Sequence, residues 1–150
     1  MTPPPAARNA DARVARVIAA FEALSPHSLD ALCALYADDA RFKDPFNDVR
    51  GHAALRAIFA HMFKALEAPR FQIRDVLVQG DQCFLTWDFR FHLQRLASDE
   101  QCIHGGTHLQ FAVDGRIAVH RDYWDAAEEL YEKLPLLGAL MRWLKRRAAG

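Results

Sequence analysis

The chain has 150 residues, 51% of them hydrophobic and 25% charged, with 19 basic and 19 acidic side chains. That mix excludes a wholly disordered, collagen-like or disulfide-scaffold chain, and it fits one core that buries about 70% of the unfolded surface. A zero formal net charge argues against nucleic acid as the main partner, because phosphate binding needs a basic excess or a basic face.

The three cysteines, Cys33, Cys83 and Cys102, are odd in number and widely spaced. They fit reduced thiols of a cytoplasmic protein better than a bridge framework or a zinc site. No apolar run approaches the ~18 residues of a membrane span. The start, MTPPPAARN, is proline-rich and polar, without a signal-peptide pattern. The expectation is a cytoplasmic chain with a flexible tail over 1–9 and a single domain over 10–150.

Val14, Val17, Ile18 and Phe21 recur at the spacing of an amphipathic helix. Leu29, Leu32, Cys33 and Tyr36 repeat it until Asp38-Asp39 break the pattern. Arg41, Phe42, Lys43 and Asp44 alternate as a short strand stopped by Pro45. Gly51 opens a third helix with Leu55, Ile58, Phe59, Met62, Phe63 and Leu66 on one side, and Pro69 closes that region. The period then changes to two. Residues 71–79 and 83–93 read as strands around a Gly80-Asp81 turn, with Trp87, Phe89 and Phe91 alternating against Asp88 and Arg90. A strand over 102–113, an Asp114-Gly115 hairpin signal and a last strand over 117–123 follow. Residues 126–134 and 136–147 look helical, with Pro135 between them.

The order predicts an α+β fold: a cone-shaped, curved antiparallel sheet wrapped around three N-terminal helices, with an extra C-terminal helix. A curled sheet closed by helices leaves a hydrophobic pocket inside. The last helix carries a stripe of Leu136, Leu137, Leu140, Met141 and Leu144, then Lys145, Arg146 and Arg147. Packing as a lid or at an oligomer contact is the first reading of it, and a membrane surface the second.

Two places could carry chemistry. Strand alternation puts Asp44 on the face of Phe42, toward the core. Desolvation disfavours a charged carboxylate there, which is what a general base needs. The same residue, ahead of a proline at a strand end, could instead build a turn. His120 and Asp122 stand two apart on the last strand and share a face with Trp124. They could handle a proton in a Trp-lined cavity, or form a structural hydrogen bond. His104 and His108 lie ~13 Å apart along a strand, too far for one ion, although Gly105-Gly106 between them could bulge and change parity. No metal site is expected.

The run from Leu29 through Asp38-Asp39-Ala40-Arg41-Phe42-Lys43-Asp44-Pro45, then Gly51-His52-Ala53-Ala54-Leu55, resembles the nuclear transport factor 2-like superfamily. The branch is the one containing ketosteroid isomerase and SnoaL-like polyketide cyclases. Asp114-Gly115-Arg116-Ile117 and His120-Arg121-Asp122-Tyr123-Trp124-Asp125 fit the same pattern. The resemblance implies a curved sheet on three helices, a deep pocket and a homodimer. Asp44 falls where ketosteroid isomerases carry their base, but Ala20 and Thr107 stand where those enzymes carry their two oxyanion donors. Losing one such donor costs about 100–1000-fold in rate, so the usual steroid isomerisation is not implied. Arg121-Asp122-Tyr123-Trp124-Asp125 also resembles the end of limonene-epoxide hydrolase, yet Trp87 and Phe89 occupy the places of that family's Arg and second Asp.

The expectation is a cofactor-independent acid–base enzyme, isomerase-, cyclase- or hydrolase-like, acting on a small apolar carbonyl compound. Asp44 is its base, His120 and Asp122 assist, and Tyr36, Phe59, Trp87, Phe89, Thr107 and Trp124 shape the pocket. The competing expectation is a non-catalytic module of the same fold that binds a hydrophobic ligand or a protein.

Overall fold

The computed structural model describes residues 10–93, 99–129 and 135–149. Helix α1 (Ala12–Glu22) starts where Asp11 accepts hydrogen bonds from the Arg13 and Val14 amides, and it buries Val14, Val17, Ile18 and Phe21 as the spacing predicts. The hydrogen bonds from the Arg13 guanidinium are the main reason the Asp11 carboxyl drops to about 2. Helix α2 (Leu29–Cys33) is little more than one turn, and α3 (His52–Ala65) buries Leu55 and Phe59.

Six strands form one curved sheet: β1 (Tyr36–Lys43), β2 (Asp48–Arg50), β3 (Leu66–Gln79), β4 (Gln82–Leu93), β5 (Gln101–Phe111) and β6 (Ile117–Tyr123). The order is β2-β1-β6-β5-β4-β3. Every pair is antiparallel except β1–β6, which run parallel and join the first strand of the chain to the last. A one-turn helix α4 (Ala126–Glu129) and a longer α5 (Pro135–Ala148) follow. Proline at the first position of α5 costs nothing, because that N–H would be unpaired anyway. The architecture is the expected α+β cone, with the sheet left unclosed at its β2 and β3 edges.

Three local expectations change. Asp38 and Asp39 do not break the chain but lie exposed within β1, because Tyr36, Ala37, Ala40 and Phe42 pull the strand into the core. Pro69 does not end a region but sits inside β3, where the register shifts between Glu67 and Arg70 and Ala68 takes φ 48. A bulge on an edge strand tolerates the missing N–H. Gly105 and Gly106 make no bulge, since the β4–β5 register runs through them unbroken. They are small for another reason: a Cβ on Gly105 would enter the Trp87 ring, and one on Gly106 would enter that of Phe84. The expected helix over 130–134 lies outside the described residues.

Alternation sorts the sheet into two faces. Cys83, Leu85, Trp87, Phe89 and Phe91 of β4 pair with the inward residues of β5 and face the helices. Burial of each large apolar side chain contributes about 1.5–3 kcal/mol. Asp88, Arg90, His104 and His108 point the other way.

Candidate active site

The last strand delivers His120 and Asp122 to the inner face, as their spacing predicts. Across from them, β5 places Leu109 opposite His120 and Thr107 opposite Asp122. Phe42 and Phe21 pack against the imidazole, with ring centroids at 4.6 and 5.9 Å.

One hydrogen-bonded chain runs through this core. Trp87 Nε1 donates to Thr107 Oγ1 at 2.8 Å, and an indole can only donate. Thr107 therefore spends its own proton on Asp122 Oδ1, at 2.6 Å. His120 Nε2 meets the same oxygen at 2.7 Å, and Tyr36 Oη lies 2.8 Å from His120 Nδ1. Asp122 can only accept when ionised, so the imidazole proton facing it sits on Nε2, and the Tyr36 hydroxyl meets the other ring nitrogen. Burial, with the Asp122 and Cys33 charges adding to it, holds the Tyr36 phenol well above its ordinary range, so it keeps its proton. His52 Nε2 donates to the Tyr36 carbonyl at 2.9 Å and fixes that residue from behind.

Asp122 thus collects a hydroxyl and an imidazole donor on one oxygen. Among the described residues no Arg or Lys pairs with it, and its Oδ2 has no hydrogen-bond partner. It also stands between two spaces. Behind it is a narrow cavity of about 30 Å³ lined by Phe21, Phe59, Phe71, Trp87, Thr107, Leu109 and His120, among others. That is room for one or two waters and far from the ~300 Å³ of a small ligand site. Stacked aromatics such as Phe71 and Phe89, 4.5 Å apart, fill the rest of the cone. In front is an open hollow of about 600 Å³ bounded by Lys43, Asp44, Pro45, Arg121, Tyr123, Trp124 and Asp125.

The other expected site residues divide between these spaces. Phe59, Trp87 and Thr107 line the inner cavity, and Trp124 lines the hollow with Phe46 edge-on to it at 5.6 Å. Tyr36 lies behind His120, and Phe89 stacks on Phe71 away from both spaces. Asp44 follows the last residue of β1 and does not share the buried position of Phe42. Its Oδ1 accepts from the Phe46 amide at 2.8 Å, the Asn47 amide at 2.7 Å and the Asn47 side chain at 3.0 Å, building the β1–β2 turn. Asp125 likewise caps α4 through the Glu128 amide.

A second buried carboxylate, Asp88, was not visible as a site in the sequence. Its donor atoms and those of Cys102 and His104 lie within 4.8 Å of one another on the outer face of β4 and β5. The Cys102-x-His104 spacing on a strand is a signal that could have pointed there. Asp88 is already satisfied: Arg74 Nε donates to Oδ2 at 2.8 Å, His104 Nδ1 meets Oδ1 at 2.6 Å, and Arg90 stands at 3.8 Å. Burial raises its pKa, but Arg74 and His104 outweigh that and leave it below the ordinary value. Two guanidinium groups on a carboxylate oppose a cation beside it, and the cluster reads as an ion-pair network.

Residues 17–120 match the SnoaL-like domain. The chain belongs to the SnoaL-like domain family. No curated protein matches it. Solved structures resemble this SnoaL-like domain at low identity. A protein with a ketosteroid isomerase-like fold from Catenulispora acidiphila DSM 44928, in complex with trimethylamine, is 19% identical, with 81% of this chain and 92% of that chain covered and a TM-score of 0.69. An LEH-like epoxide hydrolase from M. tuberculosis is 18% identical over 78% and 83%, with a TM-score of 0.61. A candidate polyketide cyclase from Xanthomonas campestris pv. campestris is 19% identical over 77% and 90%, also at 0.61. At these identities the likeness establishes the nuclear transport factor 2-like fold, a frame that small-molecule enzymes share.

Proposed function

We propose that this SnoaL-like domain is a cofactor-independent acid–base enzyme that moves a proton beside the carbonyl of a small apolar substrate, with Asp122 as the base. One observation carries the proposal: Asp122 is a largely buried carboxylate held through Oδ1 by a hydroxyl and an imidazole, with no Arg or Lys pairing and an uncommitted Oδ2 among the described residues. A carboxylate oxygen left without a partner beside an open hollow is placed to take a proton from a bound substrate. Asp44, the base expected from the resemblance, spends its carboxylate on the turn and lines the hollow instead.

The substrate enters the hollow, because the inner cavity is too small for it. Trp124 and Phe46 offer it an aromatic wall. Asp122 Oδ2 takes the proton from the carbon next to the carbonyl, and the electron pair passes to the carbonyl oxygen. Lys43 and Arg121, at the same hollow, supply positive potential for that oxygen. Thr107 and His120 hold the carboxylate in position through Oδ1, and Asp122 then returns the proton to another atom of the substrate. His120 and Tyr36 are positioning residues in this scheme.

The test is a thermal-shift and turnover panel of steroid enones, phenolic steroids, terpene epoxides and polyketide-like aromatics, on wild type and Asp122→Asn. A ligand at 100 times its dissociation constant adds about 2.7 kcal/mol, and each kcal/mol moves the midpoint about 2–4 °C. The expected outcome is a shift of several degrees in both proteins with turnover in the wild type alone. Shifts in both without turnover in either would support the non-catalytic binding module.

A further inference from the structure

We infer that α5 is a surface anchor that lays the protein on an anionic phospholipid bilayer. Leu140, Trp143 and Leu144 stand at i, i+3 and i+4 on this helix and are 51%, 46% and 45% exposed. Three large apolar side chains on one stripe are left to solvent in a protein that buries Val14, Ile18 and Leu109 completely. Among the described residues the main packing partner of α5 is the one-turn helix α4.

The charge on the helix selects the occupant of that stripe. Pro135–Ala148 holds Arg142, Lys145, Arg146 and Arg147 and no acidic residue, so the rest of this neutral chain is net acidic. The helix is a basic pole on an acidic body, and an anionic surface attracts the pole while repelling the remainder. At about 100° per residue, Arg146 falls on the flank beside Trp143, Arg147 falls next to Leu140, and Arg142 points nearly opposite the stripe. In a helix lying in the bilayer plane, Arg146 and Arg147 meet the lipid phosphates while the leucines enter the acyl boundary. Arg147 lies over the Trp143 ring at 5.1 Å, which lets an indole sit at headgroup depth with its cation reaching toward water. The helix lies on the surface and does not cross: among the described residues no helix is long and apolar enough to span a membrane.

The test is flotation of the full chain with vesicles of phosphatidylcholine alone and of phosphatidylcholine with about 30% phosphatidylglycerol, at low and high salt. The expected result is flotation with the anionic vesicles only, weakened at least tenfold by about 0.5 M salt. Arg146→Gln with Arg147→Gln lowers the binding constant about 30-fold. Leu140→Ser with Leu144→Ser lowers it at least tenfold. Both double variants change exposed positions, and an unchanged thermal midpoint verifies their folding. Absent flotation, equal binding to both vesicles, or binding indifferent to the variants would overturn the inference. So would a molar mass that halves in the leucine variant while vesicles are ignored, since a second copy would then cover the stripe.

Discussion

Asp122 and Asp88 are both carboxylates on the sheet, each bonded to a histidine, and their surroundings differ in one respect. Asp88, on the outer face, has Arg74 and Arg90 beside it. Asp122, on the inner face, has a hydroxyl and an imidazole, with no Arg or Lys pairing among the described residues. The first arrangement neutralises a charge and ties three strands together. The second orients a charge without neutralising it. A histidine beside an aspartate therefore says little by itself; the Arg side chains beside Asp88 are what distinguish it from Asp122.

The comparison breaks most cleanly on a pair of isosteric changes. Asp122→Asn is expected to lower turnover of a substrate found in the panel by about 100–10,000-fold, the share of a general base, with the midpoint of unfolding little moved. Asp88→Asn is expected to leave turnover intact and to cost about 1–2 kcal/mol, a discounted figure because Arg74 is half exposed to solvent. Steady-state kinetics and urea unfolding on the two proteins check both, and the reverse pattern would dissolve the distinction.

Tyr36→Phe comes next. It removes the hydroxyl that meets His120 Nδ1 in a buried place, which costs about 1–3 kcal/mol of stability. Turnover falls about tenfold, because the imidazole is held less firmly and the base itself remains. The same residue shapes the alkaline limb of stability. Burial keeps the Tyr36 phenol and the Cys83 thiol protonated in the fold, Cys83 up to about 11 from 9.0. Their contribution is complete below the unfolded values and is lost as pH rises, from 9.0 toward about 11 for Cys83 and higher for Tyr36. The urea midpoint should therefore fall between about pH 8 and about pH 10.5 in the wild type, and fall less in Tyr36→Phe.

The smallest effect is the most discriminating for Asp44. Asparagine builds the same turn as aspartate, so Asp44→Asn should change stability by less than ~0.5 kcal/mol and leave turnover unchanged. A loss of two orders of magnitude would return the role of base to Asp44.

Much of this was legible in the sequence. The spacing of Val14, Val17, Ile18 and Phe21 gave α1, and the period of two gave β4 with its aromatic inner face. The two-residue step from His120 to Asp122 placed both on one side of β6 because a strand's alternation is local. What the sequence hid depends on register between strands. Nothing near Thr107 says that it faces Asp122, or near Asp88 that Arg74 and His104 converge on it. Asp44 illustrates a competition at short range: alternation pointed it inward, while three N–H donors within the next three residues turned it into a turn-former.

The most direct test of Asp122 as base needs no knowledge of the product. The wild type, Asp122→Asn and Asp44→Asn are incubated in D2O with a ligand identified by thermal shift, and deuterium uptake beside its carbonyl is followed by NMR. Uptake catalysed by the wild type and by Asp44→Asn but abolished in Asp122→Asn is the result expected here. Uptake that survives in Asp122→Asn, or disappears in Asp44→Asn alone, would contradict it.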